Sequence, residues 1–231
     1  MYAKRFKRVM DFVLSIAALI VLSPVLLLLI IIGAIAMKGN PFFLQPRPGM
    51  KDKNGNEQIF KLIKLRTMSN AKDENGNLLP DDQRLGKYGA LLRSTSLDEL
   101  PSLVNIAKGD LSIVGPRPQL VRDMTFMTAE QRRRHDVRPG LTGLAQVNGR
   151  NNITWEQKIA YDLQYIDSGI TFTQDVKIIF QTVGKVIKRS DTVREGTVSD
   201  MDFGDWLMQQ GKIDQATYDE KQAEAKELLG V

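Results

Sequence analysis

The chain has 231 residues and a formal net charge of +5, so it is long enough for one medium domain with appendages, and its charge favours an anionic partner. It contains no cysteine and a single histidine, which excludes disulfides, thiolate nucleophiles and cysteine zinc sites and disfavours a His-rich metal site or a Ser-His-Asp triad. Chemistry in this chain therefore depends on carboxylates, lysine, arginine, hydroxyls or a hard metal ion.

An apolar segment without a charged residue extends from Phe12 to Met37. It spans about 26 residues, and a membrane-spanning helix needs about 20. Proline has no backbone N–H and clashes with the preceding turn, so the Ser23-Pro24 pair near the middle predicts a bend. The Ser23 hydroxyl can bond a carbonyl that the proline leaves without a donor. We therefore predict a membrane kink at Ser23 and Pro24.

Basic residues flank this segment on both sides. They are Lys4, Arg5, Lys7 and Arg8 before it, and Lys38, Arg47 and Lys51 after it. Because positively charged flanks favour the cytoplasm, both ends of the segment are expected on that side of the membrane. This pattern predicts a re-entrant helical hairpin over residues 1–38, embedded in one leaflet. A kinked helix that spans the bilayer, with a short basic tail outside, is the alternative.

A small β-hairpin is predicted after the apolar segment. Residues 41–46 and 58–67 have the composition of strands, and the Asn54-Gly55 pair between them is a strong turn signal. The stretch 70–83 is polar, contains glycine and proline, and predicts a loop.

A capping box predicts the start of the next helix, with Ser96 as the N-cap and Glu99 three residues later. Gly109 is the expected end of that helix. Residues 110–118 predict a short extended stretch that leads into a rigid loop, and residues 119–136 predict a further helix.

The remainder of the chain is expected to be irregular over 138–151 and helical from Trp155 to Ile166. From Thr171 to Lys188, apolar residues recur at helical spacing with basic residues beside the polar face. Such a helix either lies on an anionic membrane surface or packs on the protein's own core, and the sequence favours neither. The tail from Asp205 is charged and helix-prone, and a peripheral position is expected for it.

Two short motifs are candidates for chemistry. Asp98-Glu99 is an acidic pair at a predicted helix start, where carboxylates also occur simply because they favour the helix dipole. In Gly115-Pro116-Arg117-Pro118, two prolines restrict the backbone around one arginine, which pre-organises a guanidinium fork suited to phosphate. Further basic residues extend this candidate polyanion site: Lys64, Arg66, Arg93 and Arg138. Such groups, combined with Mg²⁺, can handle a phosphate.

Three blocks of the sequence together resemble the monotopic phosphoglycosyl transferases, the bacterial sugar transferase family. They are 60–68 (FKLIKLRTM), 93–118 (RSTSLDELPSLVNIAKGDLSIVGPRP) and 138–151 (RPGLTGLAQVNGRN). The likeness extends from about Tyr2 to Phe203, and the combination of LDELP with GPRP is highly distinctive. The length resembles the small form of the family, which works at the cytoplasmic face of the bacterial inner membrane.

The resemblance implies that Asp98 is the catalytic nucleophile and that Glu99 assists it, with both carboxylates helping to hold Mg²⁺. Asp98 would attack the β-phosphorus of a UDP-sugar, release UMP and hold the phosphosugar until polyprenyl phosphate attacks it. The expected substrate-binding residues are Lys64, Arg66, Arg93, Pro116, Arg117, Pro118, Arg138 and Gln146. The partners implied are therefore a UDP-sugar, polyprenyl phosphate and inner-membrane lipid.

The donor sugar is less constrained. Residues 120–125, 148–155 and 194–198 resemble the branch that uses UDP-N,N′-diacetylbacillosamine in glycoprotein glycan assembly. However, Leu144-Ala145 stands where Trp-Ala is common in the family. UDP-glucose, UDP-galactose and other N-acetylated UDP-sugars therefore stay open as donors.

Two other functional classes compete with this reading. A membrane scaffold without turnover would be expected to lose Asp98, Glu99 or Arg117, and all three are present. A nucleic-acid binder is suggested only by the basic charge, because the aromatic share is 7% and no known binding module is recognisable. We expect no nucleic-acid partner, and a homo-oligomer stays open.

The predicted fold class is α+β and mostly helical, with a re-entrant membrane hairpin, a small β-hairpin and amphipathic interface helices. Three parts are expected: a membrane anchor (1–38), a cytoplasmic catalytic domain (39–203) and a C-terminal helical tail (204–231).

Overall fold

A computed structural model describes residues 2–149, 152–188 and 201–230. The predicted α+β class is confirmed, because helices dominate and the sheets are small. The helices are α1 (Lys7–Ala36), α2 (Asp81–Arg84), α3 (Lys87–Thr95), α4 (Leu103–Lys108), α5 (Val121–Thr125), α6 (Leu144–Val147), α7 (Trp155–Asp167), α8 (Phe172–Lys188), α9 (Phe203–Gln209) and α10 (Gln215–Leu229). The strands are β1 (Phe42–Lys51), β2 (Glu57–Leu65), β3 (Ser112–Val114) and β4 (Gly140–Thr142). The stretch 194–198, and residues 150 and 151 within 148–155, lie outside the described residues.

The apolar segment forms the single helix α1, which is long and apolar enough to cross a membrane. Pro24 lies inside it, and the Ser23 hydroxyl donates to the Ile20 carbonyl at 2.8 Å. This carbonyl lies four residues before the proline and receives no backbone N–H from it, so the predicted role of the serine hydroxyl is confirmed. Large apolar side chains on α1 are exposed along most of its length, including Ile20, Val21 and Leu27.

Both ends of α1 contact the rest of the protein. Near its start, the Arg8 guanidinium donates to two carbonyls at the end of α4, those of Ile106 and Ala107, each at 2.7 Å. Near its end, the Tyr88 hydroxyl of α3 donates to the Leu29 carbonyl at 2.7 Å. The two halves of the helix therefore pack against two neighbouring elements of one globular unit.

A buried carboxylate fixes the beginning of α1 to α8. Asp175 is fully buried and accepts from Lys7 Nζ at 2.5 Å and from the hydroxyls of Tyr2 and Tyr165 at 2.7 Å each. A buried charge is stable only when such partners compensate it. On α8, Ile178 faces the core while Phe180 is 73% exposed, so one face of the predicted amphipathic helix packs on the protein and another is uncovered.

The predicted β-hairpin is confirmed, with β1 and β2 antiparallel and Phe42 opposite Leu65. Asp52 organises the turn because its carboxylate accepts the backbone N–H groups of Asn54 and Asn56. Gly55 has a φ of 86°, a left-handed conformation that suits glycine. The hairpin packs on the first core cluster, formed by Leu62, Leu103, Ile106 and Leu111, which α1 also covers.

A parallel pair, β3 and β4, carries the loop with the two prolines. The amide N–H of Gly115 donates to the Thr142 carbonyl at 2.9 Å, and that of Gly140 donates to the Pro116 carbonyl at 2.8 Å. A Cβ on Gly140 would lie 2.1 Å from the backbone nitrogen of Gly115, so only glycine permits this approach. The predicted extended stretch into a rigid loop is therefore confirmed.

The predicted capping box at Ser96 is wrong. Ser96 ends α3 with a left-handed backbone (φ 56°, ψ 20°), and its side chain caps no helix. Residues Leu97–Ser102 form a 3₁₀ turn that contains Pro101, and α4 begins only after it. An α-helix from Leu97 would require an N–H from Pro101, which proline lacks. The predicted end at Gly109 is confirmed, with a φ of 98°.

The continuous helix predicted over 119–136 is also wrong. The structure has α5 and a separate 3₁₀ turn at Gln131–His135. Thr128 and Gln131 exchange side-chain and backbone hydrogen bonds, which starts the second turn locally and interrupts the first helix. The helices predicted from Trp155 and from Thr171 are confirmed as α7 and α8.

The C-terminal tail is helical as predicted, but it is not wholly peripheral, because Trp206 and Leu207 pack against a core cluster. The helix α9 begins at Phe203, just before the predicted tail. Phe203 is 2% exposed and belongs to a core cluster with Met127, Trp155 and Ile159. Its backbone N–H donates to a carboxylate oxygen of Asp123 at 2.9 Å. Apolar residues within the charged tail therefore anchor it to the domain.

Candidate active site

A cleft of about 740 Å³ opens between the end of β2, the 3₁₀ turn after α3, the loop after β3 and the beginning of α7. Most of the predicted site residues line it, namely Lys64, Arg66, Arg93, Asp98, Glu99, Arg117 and Gln146. Pro116 and Pro118 flank the arginine in the loop. The acidic pair and the cationic side chains, which are far apart in the sequence, are thus brought into one cleft.

Glu99 is held by two cations. Its Oε1 accepts from Lys64 Nζ at 2.9 Å and from Arg117 Nη2 at 2.8 Å. Burial alone would raise the pKa of Glu99, but Arg117 and Lys64 outweigh it and hold the pKa well below its usual range. Burial also lowers the pKa of Lys64, with Glu99 opposing that change. Glu99 is therefore a fixed negative charge that orients its two cations.

Asp98 differs from its neighbour. Burial and the adjacent charge of Glu99 raise the pKa of Asp98, while Lys64, Arg117 and Arg93 oppose that rise. Two adjacent carboxylates with pKa values displaced in opposite directions are typical of a pair with separate chemical roles. Asp98 is thus the more basic carboxylate of the pair.

Arg93 projects from the last turn of α3 towards the same cleft. Its Nε donates to the Thr67 hydroxyl at 3.0 Å, and burial lowers the pKa of Arg93 while Asp98 opposes that change. Because α3 ends at Ser96 with a left-handed residue, the chain turns sharply between the arginine and the acidic pair. This turn places both on one wall of the cleft.

Arg117 is positioned from behind by a buried ion pair. Arg134 Nη2 donates to the Arg117 carbonyl at 2.6 Å and to Asp162 Oδ2 at 2.5 Å. The side chains of Arg134 and Asp162 are only 1% and 2% exposed. The pair therefore fixes the backbone of the two-proline loop from the core, and the Arg117 guanidinium is directed to Glu99.

Arg138 does not line the cleft. Its Nε donates to the Gly109 carbonyl at 2.9 Å, and burial and Arg8 lower its pKa. The guanidinium thus binds the end of α4 close to α1. The structure does not bring this predicted substrate-binding residue together with the others, because its guanidinium is bound at the end of α4.

Several residues that line or support the cleft were not predicted from the sequence. Arg47 donates to the Pro118 carbonyl at 2.9 Å, and burial together with Arg117 lowers the pKa of Arg47 to about 10. Asp123 accepts the Leu120 amide at 2.9 Å and caps α5. Trp155, Lys158 and Asp162 recur at helical spacing on α7, and this periodicity was the signal for a face directed at the cleft.

The acidic pair fits a magnesium ion of the kind that binds phosphate substrates. Among residues 2–149, 152–188 and 201–230, no group of three or more His, Asp or Glu side chains could hold a metal by itself. Magnesium at phosphate sites commonly takes one or two carboxylates and receives its other ligands from phosphate and water. Asp98 and Glu99 supply two carboxylates in the cleft, although Oε1 of Glu99 is already bound by two cations.

Comparison with known proteins shows which family the chain belongs to. The family model described as "Bacterial sugar transferase" matches residues 2–189. The uncharacterized sugar transferase EpsL of Bacillus subtilis is 46% identical over 181 residues, which cover 78% of this chain and 87% of that protein. The exopolysaccharide production protein ExoY of Sinorhizobium fredii is 35% identical over 201 residues, which cover 78% of this chain and 84% of that protein.

A third relative is larger. The UDP-glucose:undecaprenyl-phosphate glucose-1-phosphate transferase of Klebsiella pneumoniae is 40% identical over 188 residues, which cover 78% of this chain but only 40% of that protein. The chain therefore spans about two fifths of the length of this relative and most of the length of EpsL and ExoY. The family match, together with the cleft and its acidic pair, identifies the chain as an enzyme that belongs to the bacterial sugar transferase family.

Proposed function

We propose that the chain transfers a sugar 1-phosphate from a UDP-sugar to polyprenyl phosphate and releases UMP. The single observation that carries this proposal is the acidic pair in a cationic cleft, with Glu99 fixed by Lys64 and Arg117 beside the more basic Asp98. The printed name of the Klebsiella pneumoniae relative, a UDP-glucose:undecaprenyl-phosphate glucose-1-phosphate transferase, supports the same reaction class.

The reaction divides into two displacements at Asp98. A carboxylate oxygen of Asp98 attacks the β-phosphorus, the bond from that phosphorus to the UMP oxygen breaks, and an aspartyl phosphosugar forms. A phosphate oxygen of the polyprenyl phosphate then attacks the same phosphorus and releases Asp98. Two bulky anions therefore never need to meet in one step, which is the advantage of a covalent intermediate.

The cationic groups of the cleft stabilise the negative charge of the donor. Arg117 and Lys64 already neutralise Glu99, and with Arg93 they supply a positive field for the diphosphate. Mg²⁺, when bound by Asp98, Glu99 and the donor phosphates, would neutralise diphosphate charge and make UMP a better leaving group. Because Glu99 is fixed by two hydrogen bonds, it suits a role in orientation and assistance better than a role as nucleophile.

The packing of α1 supports a monotopic enzyme at the cytoplasmic face. Arg8 near its start binds the end of α4, and Leu29 near its end binds Tyr88 of α3. The acidic pair lies on the turn between α3 and α4. A helix that enters and leaves one leaflet would hold this turn at the membrane surface, where a lipid-linked phosphate and a soluble nucleotide-sugar meet.

For the donor we propose an N-acetylated UDP-sugar such as UDP-N,N′-diacetylbacillosamine, which rests on the sequence likeness alone. UDP-glucose is the second candidate, because proteins from Klebsiella pneumoniae, Caulobacter vibrioides and Escherichia coli that resemble this chain are named for it. A panel of donors with UMP release as the readout separates the two.

The decisive experiment traps the intermediate. Enzyme in native membrane lipid is incubated with the donor that releases most UMP, and mass spectrometry searches for a phosphosugar on the peptide with Asp98. We expect the adduct on the wild-type enzyme and not on Asp98→Asn, while Asp219→Asn, at an exposed position of α10, retains it. An adduct that survives Asp98→Asn would move the nucleophile elsewhere, and no UMP release with any donor would favour the scaffold.

A further inference from the structure

Three residues of the C-terminal segment form part of the cleft wall. We call Met201, Asp202 and Asp205 the C-terminal wall, and Trp155 lines the cleft beside it. The Trp155 indole N–H donates to the Met201 carbonyl at 2.9 Å, and the Phe203 ring packs on Trp155 with centroids 5.0 Å apart. Buried contacts therefore fix the wall.

Side chains of α5 and α10 hold the two carboxylates of the wall. Arg122 forms an ion pair with Asp202, and the Tyr218 hydroxyl donates to Asp205 Oδ1 at 2.6 Å. An ionised carboxylate has about four acceptor sites on its two oxygens, so Asp202 and Asp205 each retain acceptor capacity towards the cleft.

A buried amide in the same cleft lacks a protein partner. Gln146 is 8% exposed, and within the described part of the chain neither its Nε2 nor its Oε1 has a hydrogen-bond partner. Buried polar groups are nearly always paired, so this amide indicates a ligand that offers both a donor and an acceptor. Gln146 lines the cleft that also contains the C-terminal wall.

The wall is connected to the catalytic loop through α7. Trp155, Lys158 and Asp162 lie on one face of that helix and line the cleft. Asp162 binds Arg134, which fixes the Arg117 carbonyl. Seven residues of helix separate the two ends of this face, a distance of about 10 Å. The wall thus lies at the Trp155 end of this face, and the Asp162 end supports the loop that carries Arg117.

The two carboxylates of the wall indicate which part of a UDP-sugar the wall can contact. Its carboxylates repel phosphate and accept hydrogen bonds, so they suit an uncharged group that carries hydroxyl or amide N–H donors. The uridine and the sugar of a UDP-sugar both meet this description. The family match ends at residue 189, and the wall lies beyond it. Relatives named for UDP-glucose and UDP-galactose share the uridine and differ in the sugar.

We propose that the C-terminal wall, together with Gln146, is the subsite for the donor's sugar and determines which UDP-sugar the enzyme accepts. This inference rests on the proposed function. Asp202 and Asp205 accept hydrogen bonds from sugar hydroxyl or acetamido N–H groups. Gln146, which lies in α6, supplies one donor and one acceptor.

The test compares donor selectivity in the full-length enzyme. UMP release is measured with UDP-glucose, UDP-galactose, UDP-N-acetylglucosamine and UDP-N,N′-diacetylbacillosamine for the wild type, Asp205→Asn and Asp202→Asn. A site that hydrogen-bonds a substrate group discriminates strongly against analogues. We expect the ratio of kcat/KM between the best and second-best donors to change about tenfold or more, with unchanged inhibition by UMP.

Tyr218→Phe is the matched control. It removes the hydrogen bond that holds Asp205 but leaves the carboxylate in the wall and the ring beside Phe126, so its donor ratio should equal that of the wild type. Equal loss with all donors, weaker inhibition by UMP at an unchanged ratio, or a Tyr218→Phe shift equal to that of Asp205→Asn would each overturn the subsite. A wild type that releases no UMP would overturn the proposed function and the subsite with it, whereas normal turnover with unchanged ratios overturns the subsite alone.

Discussion

The buried pair of Arg134 and Asp162 predicts separate effects on stability and on activity. Arg134→Met removes two hydrogen bonds to Asp162 and the donor to the Arg117 carbonyl. Asp162, which is 2% exposed, then remains as a buried carboxylate whose principal cation is gone. Breaking one partner of a buried ion pair costs about 3–5 kcal/mol of unfolding free energy.

The size of this loss sets the expected measurement. A change of 1 kcal/mol shifts the melting temperature by about 2–4 °C in a protein of this size, so Arg134→Met should melt roughly 6–20 °C lower. UMP release should fall by about a hundredfold even below the melting transition, because a misplacement of about 1 Å at a catalytic group has an effect of that order.

The double variant Arg134→Met/Asp162→Leu separates the two effects. Replacing both partners of a buried pair by apolar side chains is often neutral, so most of the lost stability should return. Activity should stay low, since the Arg117 carbonyl still lacks its donor. Thermal unfolding in detergent and UMP release on the same preparations provide the two readouts. If activity returns together with stability, or if Arg134→Met melts like the wild type, the positioning role of the pair is refuted.

Three further predictions concern the nucleophile, the metal and the membrane anchor. The raised pKa of Asp98 means that its ionised form is lost at a higher pH than in an ordinary aspartate. UMP release should therefore fall on acidification while an ordinary aspartate, with a pKa of about 3.9, is still ionised, and a profile that falls only with the ordinary aspartate would contradict this. EDTA should stop UMP release and Mg²⁺ should restore it, whereas turnover unaffected by EDTA would remove Mg²⁺ from the reaction. Because the chain has no native cysteine, single cysteines at Ala3 and Asn40 can be labelled selectively; both should react from the cytoplasmic side, and reaction of position 3 only from outside would show a spanning helix.

Local signals predicted the elements that depend on neighbouring residues. The Asn-Gly turn, the helices that begin at Trp155 and Phe172, and the rigid loop after β3 follow from short patterns that tertiary packing does not override. The helix start at Ser96 failed because the capping-box pattern was given more weight than Pro101, which forbids an α-helix from Leu97. Both signals were in the sequence, and the proline was the stronger.

The residues of the acidic pair and the arginine of the two-proline loop could be predicted from the sequence, but the buried residues that position them could not. Asp98, Glu99 and Arg117 could be selected from two motifs, and the structure places all three in one cleft. The pairing of Arg134 with Asp162 joins residues 28 apart, and no local pattern encodes it. Arg138 was grouped with the other cations on charge alone, which does not reveal that its guanidinium binds the Gly109 carbonyl at the end of α4.

The carboxylate of Asp175 couples the apolar helix α1 to the amphipathic helix α8. Separating α1 from α8 would leave that buried charge without Lys7 and Tyr2, so we expect the two helices to move as one body. If α1 lies in one leaflet as proposed, the depth at which Phe180 on the uncovered face of α8 meets the lipid would follow the depth of α1. In the proposed monotopic enzyme, this frame would hold the cleft at a constant height above the lipid headgroups.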